Sequence, residues 1–391
     1  MHKSSLMVFA GGGSGGHLYP SLAVADALRS LEPATGFAFF GTDRAIDANV
    51  LSACDGRVLR QPVRPLPRRP WQVPTFLFAW RASTQMCRRL FRKQRPLAVL
   101  GNGGYASAPA ICEAARLGIP TALLNPDAVP GKANRMLQSR VDAVFAQWPE
   151  TAEHFNGQVA VHATGCPVRP EFKFATRQAG IEHFGLDPDK RVLLVTGASQ
   201  GARSVNEALM AVVPVLADAG VWEKWQLLHL TGPSGQDGAE ALYRRCGVSA
   251  RVVGFTKHMA SALAAADLVL SRAGASTLAE ITALGRPAVL MPYPHHGDRH
   301  QVANARMLVK AGAARLVTDR VDPQQNAGPL SEVLLHLMRQ EEELSRLASA
   351  ARRIGTSNAA GEIARHLLRM GRQARPAEPI ESMEETCAAG R

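Results

Sequence analysis

The sequence predicts an α/β protein made of two Rossmann-like domains, each a parallel sheet covered by helices on both faces. Three observations predict it. Short apolar runs of strand length alternate with longer stretches of helical spacing. Several of these runs empty into glycine-rich turns that open a helix. The pattern pauses near Thr164-Gly165-Cys166-Pro167-Val168-Arg169-Pro170 and restarts, dividing 391 residues into two halves of domain size.

In chain order, Leu6-Met7-Val8-Phe9-Ala10 is the first strand, followed by six residues Gly11-Gly12-Gly13-Ser14-Gly15-Gly16 and a helix marked by Val24, Ala27, Leu28 and Leu31. Leu97-Ala98-Val99-Leu100 repeats the unit, with Gly101-Asn102-Gly103-Gly104 as its turn and a helix to Leu117. Pro120-Thr121-Ala122-Leu123-Leu124 is a further strand. Beyond the pause, Val192-Leu193-Leu194-Val195-Thr196 runs into Gly197-Ala198-Ser199-Gln200-Gly201-Ala202, and Val205, Leu209, Val212 and Leu216 stripe the next helix. Strands follow at Leu227-Leu228-His229-Leu230, Val252-Val253, Leu268-Val269-Leu270 and Ala288-Val289-Leu290. The chain is helical from about 329 to 371, and a tail with Pro376, Pro379 and several glutamates reads as disordered.

Composition narrows the class. Hydrophobic residues make up 46% and charged residues 20%, a globular mix that excludes a disordered or collagen-like chain. No apolar run reaches the ~20 residues of a membrane span. After His2-Lys3 the apolar run breaks into glycines, so no secretory signal is expected. The six cysteines are scattered without a CxxC pair, which argues against a disulfide framework or zinc site and for a reducing compartment. The net charge is +12, and eleven basic residues fall between Arg57 and Arg95, in a segment without Asp or Glu from 56 to 112. Such local basicity points to a polyanionic partner surface.

The motifs admit sharper readings. Residues 11–16 let a ligand approach the backbone and offer helix N–H groups to an anion, or form a tight turn alone. The loop lacks GxGxxG followed by a ribose-binding acid, which disfavours a dinucleotide. His17 at the loop–helix junction is a candidate general base. Gly197–Arg203 suits a diphosphate but lacks the Lys-Ser/Thr pair of a P-loop. Ser271-Arg272-Ala273-Gly274-Ala275-Ser276-Thr277-Leu278-Ala279-Glu280 places Glu280 in a new helix, where it can accept from both hydroxyls of a ribose or simply be solvated. The polar loop 292–304 gathers sugar-hydroxyl partners. Asp187-Pro188-Asp189 precedes a strand and reads as a turn; no metal site is expected. Trp71, Phe76, Phe78 and Trp80 run on into Arg81, Arg88 and Arg89, which fits an anionic lipid surface; the alternatives are a solvated face of a core helix and nucleic acid.

Taken together, Gly11–His17 with Pro20 and Leu22-Ala23-Val24-Ala25, then Gly101–Tyr105, Gly197–Arg203, Ser271–Glu280 and Asp298–Asn304, resemble the bacterial peptidoglycan N-acetylglucosaminyltransferases, in register from about residue 6 to 370. The resemblance implies a GT-B fold with its two sheets facing a central cleft. Residues 1–168 would form the acceptor and membrane-associating domain and 169–354 the UDP-sugar domain. A helix at about 355–371 would pack back on the first, with 372–391 disordered. It implies inverting transfer from UDP-GlcNAc to the 4-hydroxyl of the muramoyl-pentapeptide of lipid I, giving lipid II at the cytoplasmic face of the inner membrane. UDP-GlcNAc is the substrate; no cofactor is tightly bound and no nucleic acid is expected.

By the same resemblance Phe255 and Thr256 hold the uracil, Glu280 the ribose, and Ser199, Gly201 and Arg169 the diphosphate, while His300 and Gln301 read the GlcNAc. Ser14, Gly15, Gly16, Gly274, Ala275 and Ser276 join the donor set, and Gly103, Gly104, Tyr105, Asp127 and Asn134 the acceptor set. One segment departs: the family pattern His-Glu-Gln-Asn is here Leu124-Asn125-Pro126-Asp127. Two alternatives therefore stay open, a UDP-sugar transferase with another lipid acceptor and a weakly active paralogue that serves as a membrane scaffold.

Overall fold

The computed structural model describes residues 5–12, 15–52, 54–197, 201–232, 236–295 and 299–374, without the side chains of residues 15, 17, 45, 46, 49 and 237. The tail expected to be disordered lies outside them from residue 375 on.

The first half alternates β1 (Leu6–Ala10), α1 (Gly15–Leu31), β2 (Gly36–Gly41), α2 (Ala45–Leu51), β3 (Arg57–Arg60), α3 (Val73–Lys93), β4 (Ala98–Gly101), α4 (Ala108–Arg116), β5 (Thr121–Asn125), α5 (Lys132–Leu137), β6 (Ala143–Ala146) and β7 (Ala160–Ala163). Its strands pair in parallel in the order β3-β2-β1-β4-β5-β6-β7. The second half begins with α6 (Arg177–Phe184), β8 (Arg191–Thr196), α7 (Arg203–Asp218), β9 (Trp225–Leu230), α8 (Gln236–Arg245), β10 (Ala250–Val253) and α9 (Met259–Ala265). It continues through β11 (Leu268–Ser271), α10 (Ala275–Ala283), β12 (Ala288–Leu290), α11 (His300–Lys310) and β13 (Ala314–Leu316). This sheet is also parallel, ordered β10-β9-β8-β11-β12-β13. The closing helical region is three helices, α12 (Pro323–Arg339), α13 (Glu341–Ile354) and α14 (Ala359–Gln373).

Central strands are buried on both faces, as parallel pairing under two helical layers requires: every residue of β1, β4 and β5 is buried. The helices carry recognisable local signals. Thr176 caps α6 by accepting from the Ala179 amide, and the helix ends on left-handed Gly185. Asp322 caps α12 through the Gln324 and Gln325 amides.

Two chain crossings connect the halves and run side by side. Gly165 has φ +84°, and a Cβ there would come within 1.8 Å of Thr356 Oγ1 on the returning segment, so only glycine fits. After that return, α14 lays Ile363, Ala364, Leu367 and Leu368 on the core formed by β1, β4, β5 and α1. Its exposed end is tied to α1 by Arg372 and Glu32. The last helix thus completes a face of the first sheet. Leu367 is fully buried there, so Leu367→Ala is expected to cost roughly 2–5 kcal/mol. The check is a lowered thermal transition with the secondary-structure spectrum of the folded state unchanged.

Candidate active site

In an open parallel sheet, ligands collect beyond the carboxyl ends of the strands, at the point where the strand order reverses. Here the reversals fall between β1 and β4 and between β8 and β11. The loops at both points carry the glycine segments singled out in the sequence, and the two crevices face each other.

In the first domain the loops after β1 and β4 touch: the Asn102 amide donates to the Ala10 carbonyl at 2.8 Å. Gly103, Gly104 and Tyr105 follow, the tyrosine opening a short 3-10 turn into α4. Gly15 and Gly16 begin α1, and His17 is its third residue, with a side chain outside the described atoms. Ser14 and Ser199 lie outside the described residues.

In the second domain Gly201 has φ +73° and presses on the end of β9, where a Cβ would sit 2.5 Å from the Thr231 carbonyl. Only glycine lets that loop lie so low at the entrance to α7. Phe255 is 59% exposed and, with Thr256, follows β10. Gly274 precedes α10, Ala275 and Ser276 form its first turn, and Glu280 lies on its second. Ser276 Oγ donates to the Gly16 carbonyl at 3.1 Å, directly across the cleft. His300 and Gln301 open α11, and Gln301 Oε1 accepts from the Tyr293 amide at 2.9 Å.

Arg169, at the crossing between the domains, is a half-sheltered cation held from three sides. Its guanidinium lies over Tyr19 of α1 at 4.9 Å and over Phe172 at 5.3 Å. It pairs with Glu171 at 2.8 Å and faces Glu280 at 3.6 Å. Its Nε is buried without a hydrogen-bond partner among the described residues. Burial pushes the Glu280 carboxyl up; Arg169 opposes this and Glu171 adds to it, leaving the group at about 7. The candidate ribose carboxylate is therefore poised between its two protonation states near neutrality.

A buried network behind the loops that open α7 and α10 was not apparent in the sequence. Arg272, at the end of β11, donates to Asp319 at 2.6 Å, to Ser204 Oγ at 2.7 Å and to the Met291 carbonyl at 2.8 Å. Ser204 and Asn326 also donate to Asp319, at 2.6 and 3.0 Å. Burial alone would raise the Asp319 carboxyl, but these donors and the Val321 amide outweigh it and hold the group below the usual carboxylate range. One carboxylate thus fixes the starts of α7 and α12 and the loop before α10. Only Arg272 stood in a quoted motif; its partner is 47 residues away.

The departing segment places its side chains inward. Leu124 is 1% exposed in the core of the first domain. Asn125 is equally buried, and its amide donates to the Asp127 carbonyl at 2.6 Å while its oxygen accepts from Asn134 at 2.9 Å. Of the four positions, 127 is the one whose side chain crosses the cleft, reaching Asn304 at 2.9 Å.

The aromatic-basic segment becomes the start and exposed face of α3. Trp71, Leu77 and Phe78 are 67%, 56% and 76% exposed, while Phe76 and Trp80 stack at 6.2 Å and are half-buried. Arg81 and Arg89 are exposed. Arg88 instead pairs with Glu113 at 2.8 Å, which also holds Arg116, so its charge is spent inside the domain. An open cavity of about 700 Å³ lies between α3 and the cleft-side loops, lined by Arg44, Pro62, Arg64, Phe78 and Tyr105 among others. Asp187 and Asp189 form the expected turn, the Asp189 amide donating to Asp187 Oδ1 at 2.9 Å. Among the described residues, no three His, Cys, Asp or Glu side chains gather to hold a metal ion, and no helix is long and apolar enough to cross a membrane.

Residues 7–146 match the glycosyltransferase family 28 N-terminal domain and residues 192–366 the family's C-terminal domain. The UDP-N-acetylglucosamine–N-acetylmuramyl-(pentapeptide) pyrophosphoryl-undecaprenol N-acetylglucosamine transferase of Moorella thermoacetica is 36% identical over 371 residues, spanning 93% of this chain and 98% of its own. A protein of the same name from Anaeromyxobacter sp. is 39% identical over 361 residues, spanning 92% and 91%. Among solved structures, the MurG of Acinetobacter baumannii aligns with a TM-score of 0.72 at 25% identity, over 93% of this chain and 99% of that one.

Removing the Asp319 carboxylate would leave Arg272 buried and uncompensated. Asp319→Ala is therefore expected to cost about 3–5 kcal/mol and to loosen the loops at the starts of α7 and α10. Because the Asp319 pKa is depressed in the folded protein, its contribution is present above the ordinary aspartate pKa and is lost as pH falls through the folded value. Denaturant melts from pH 7 downward check this: the gap between wild type and variant narrows in acid.

Proposed function

We propose that this chain, which belongs to glycosyltransferase family 28 and has its GT-B fold, transfers GlcNAc from UDP-GlcNAc to the lipid-linked muramoyl-pentapeptide of lipid I, forming lipid II. The observation that carries the reading is the pairing of two strand-end crevices across one cleft. One presents a carboxylate and an arginine, Glu280 and Arg169; the other is built from glycine loops beside a basic-aromatic surface. The relatives that share more than nine-tenths of the chain carry the name of this activity.

In this reading the uracil stacks near Phe255 and Thr256, and the ribose hydroxyls donate to Glu280. The diphosphate meets Gly201, Ser199, the start of α10 at Gly274, Ala275 and Ser276, and Arg169, whose unpartnered Nε gains an acceptor. Gly15 and Gly16, with Ser14, close on the donor from the opposite domain. His300 and Gln301 hold the sugar. Gly103, Gly104, Tyr105, Asp127 and Asn134 shape the acceptor side.

The acceptor 4-hydroxyl attacks the anomeric carbon of GlcNAc from the face opposite UDP. The new C–O bond forms as the bond to the diphosphate oxygen breaks, UDP leaves with the electron pair, and the configuration inverts. The hydroxyl proton passes to a base, for which His17 at the mouth of α1 is the candidate. Helix N-terminal amides and Arg169 stabilise the charge growing on UDP, so no tightly bound cofactor is needed in this scheme.

The exposed Trp71 and Phe78 with Arg81 and Arg89 would rest on an anionic membrane at the cytoplasmic face, where the acceptor's polyprenyl chain is anchored. The 700 Å³ cavity joins that surface to Tyr105. Each engaged basic side chain adds about 1 kcal/mol. Attachment to phosphatidylglycerol-rich vesicles is thus expected to be lost as salt rises and to weaken in Arg81→Glu/Arg89→Glu. Sedimentation that ignores both salt and lipid charge overturns this part.

Turnover of UDP-GlcNAc with a lipid I analogue tests the activity; transfer to a different lipid only, or donor binding with no transfer, would favour the two alternatives. His17→Ala should depress turnover more than UDP-GlcNAc affinity, and Glu280→Gln the reverse. The ribose hydroxyls stabilise the ionised carboxylate, so binding lowers the Glu280 pKa from about 7. UDP-GlcNAc affinity should therefore fall about tenfold from pH 8 to pH 6. Calorimetry at both pH values should show that slope flattened in Glu280→Gln.

A further inference from the structure

Asn304 lies four residues into α11 from His300 and is fully buried, yet its side chain joins three segments. Its Oδ1 accepts from the Ala128 amide at 2.8 Å. Its Nδ2 donates to Asp127 Oδ1 at 2.9 Å and reaches the Ala273 carbonyl at 3.2 Å. Asp127 and Ala128 belong to the loop after β5 in the first domain, and Ala273 to the loop before α10 in the second. The other carboxylate oxygen of Asp127 lies 3.5 Å from His300 Nδ1, on the same face of α11 as Asn304.

The loop that presents Asp127 is braced from behind. Asn134 donates to Asn125, and Asn125 donates to the Asp127 carbonyl. Thr151 Oγ1 donates to the Ala128 carbonyl at 3.1 Å. A continuous hydrogen-bonded path therefore runs from α5 through Asp127 to the first turns of α11 and the donor loop.

We propose that Asp127 is a positioning residue: clasped to Asn304, it sets the register between the two domains and orients the His300 ring, so that transfer rather than donor binding depends on it. The inference rests on the reading of His300 as a contact to the transferred sugar. A carboxylate 3.5 Å from Nδ1 favours a proton on that nitrogen and so biases the orientation of the ring. An asparagine at 127 keeps the bond to Asn304 through its oxygen but turns an N–H toward His300 and frees the tautomer. The two functions of the carboxylate are thus separable by substitution.

The test uses the full chain with Asp127→Ala, Asp127→Asn and, as a control at the same interface, Lys310→Ala, which removes the 3.1 Å bridge to Glu150. Three quantities are measured: UDP-GlcNAc affinity by calorimetry, kcat on a lipid I analogue, and hydrogen exchange of the Ala128 amide. Asp127→Ala is expected to lower kcat about 100-fold and Asp127→Asn about tenfold, with donor affinity unchanged in both. Ala128 exchange should accelerate in Asp127→Ala and stay slow in Asp127→Asn, and Lys310→Ala should leave all three readings at wild type. Unchanged kcat in Asp127→Ala, or a loss of kcat matched by an equal loss of donor affinity, overturns the proposal. Should the wild-type protein transfer to no lipid-linked acceptor, the functional reading falls instead, and the exchange data still decide the clasp: unchanged Ala128 protection in Asp127→Ala overturns it.

Discussion

A parallel sheet gathers all its ligand-capable loops at one edge, and it opens a crevice there only where successive connections turn to opposite sides. Both sheets of this protein are parallel throughout, and each reverses once, at β1/β4 and at β8/β11. The two crossings at Gly165 and Thr356 bring those edges face to face. From this constraint the rest follows. Glycine is needed where a loop must lie low against the neighbouring strand end, as Gly201 does on Thr231. Helix N-termini then point their unpaired amides into the space between the sheets.

Holding such a cleft open to water while keeping its charges in place calls for two kinds of electrostatics. Arg272 and Asp319 sit at 8% and 0% side-chain exposure, bonded to Ser204, Asn326 and the Met291 carbonyl, and they act as a fixed anchor beneath the loops at the starts of α7 and α10. Glu280 is the opposite case. Desolvation outweighs the arginine 3.6 Å away, so the carboxyl is held above the usual carboxylate range. A buried network with its hydrogen bonds complete rigidifies, whereas a site with an unmet demand is one a ligand can complete. Asp319, in the loop after β13, and Glu280, on α10, are accordingly shifted in opposite directions.

The central strands and the glycine turns were legible in the sequence because burial on both faces leaves continuous apolar runs. The edges were not. In β3 three of four residues are exposed, and β7 and β13 are also only partly buried, so none carries an unbroken apolar run. At the site, the loop residues could be read one segment at a time, since each motif is local. Asp319 and Asn304 act on partners 47 and 177 residues away, and no local pattern marks such pairs. The same limit applies to Arg88: the sequence groups it with the basic run, and its partner Glu113 stands 25 residues on, on the neighbouring helix. His17 and Ser199 were singled out by the sequence, but their side chains lie outside the described atoms.

Beyond Ala128 and Trp148, which pack on the second domain's apolar core, the contacts across the cleft among the described residues include several polar ones. Ser276 bonds the Gly16 carbonyl, Asn304 bonds Asp127 and Ala128, Lys310 bonds Glu150, and Arg169 stacks on Tyr19. An apolar seam of the same extent would be expensive to part, because its whole area would return to water at each opening. Hydrogen bonds of this kind exchange for water at a net cost of about 0.5–1.5 kcal/mol each, so each such contact costs little to part. Yet each bond is directional, and the carboxylate at 127 accepts from one residue while facing a second four positions away on the same helix. Such an interface is cheap to open and narrow in the arrangement to which it can return, which is what a transferase exchanging a soluble donor against an anchored acceptor requires.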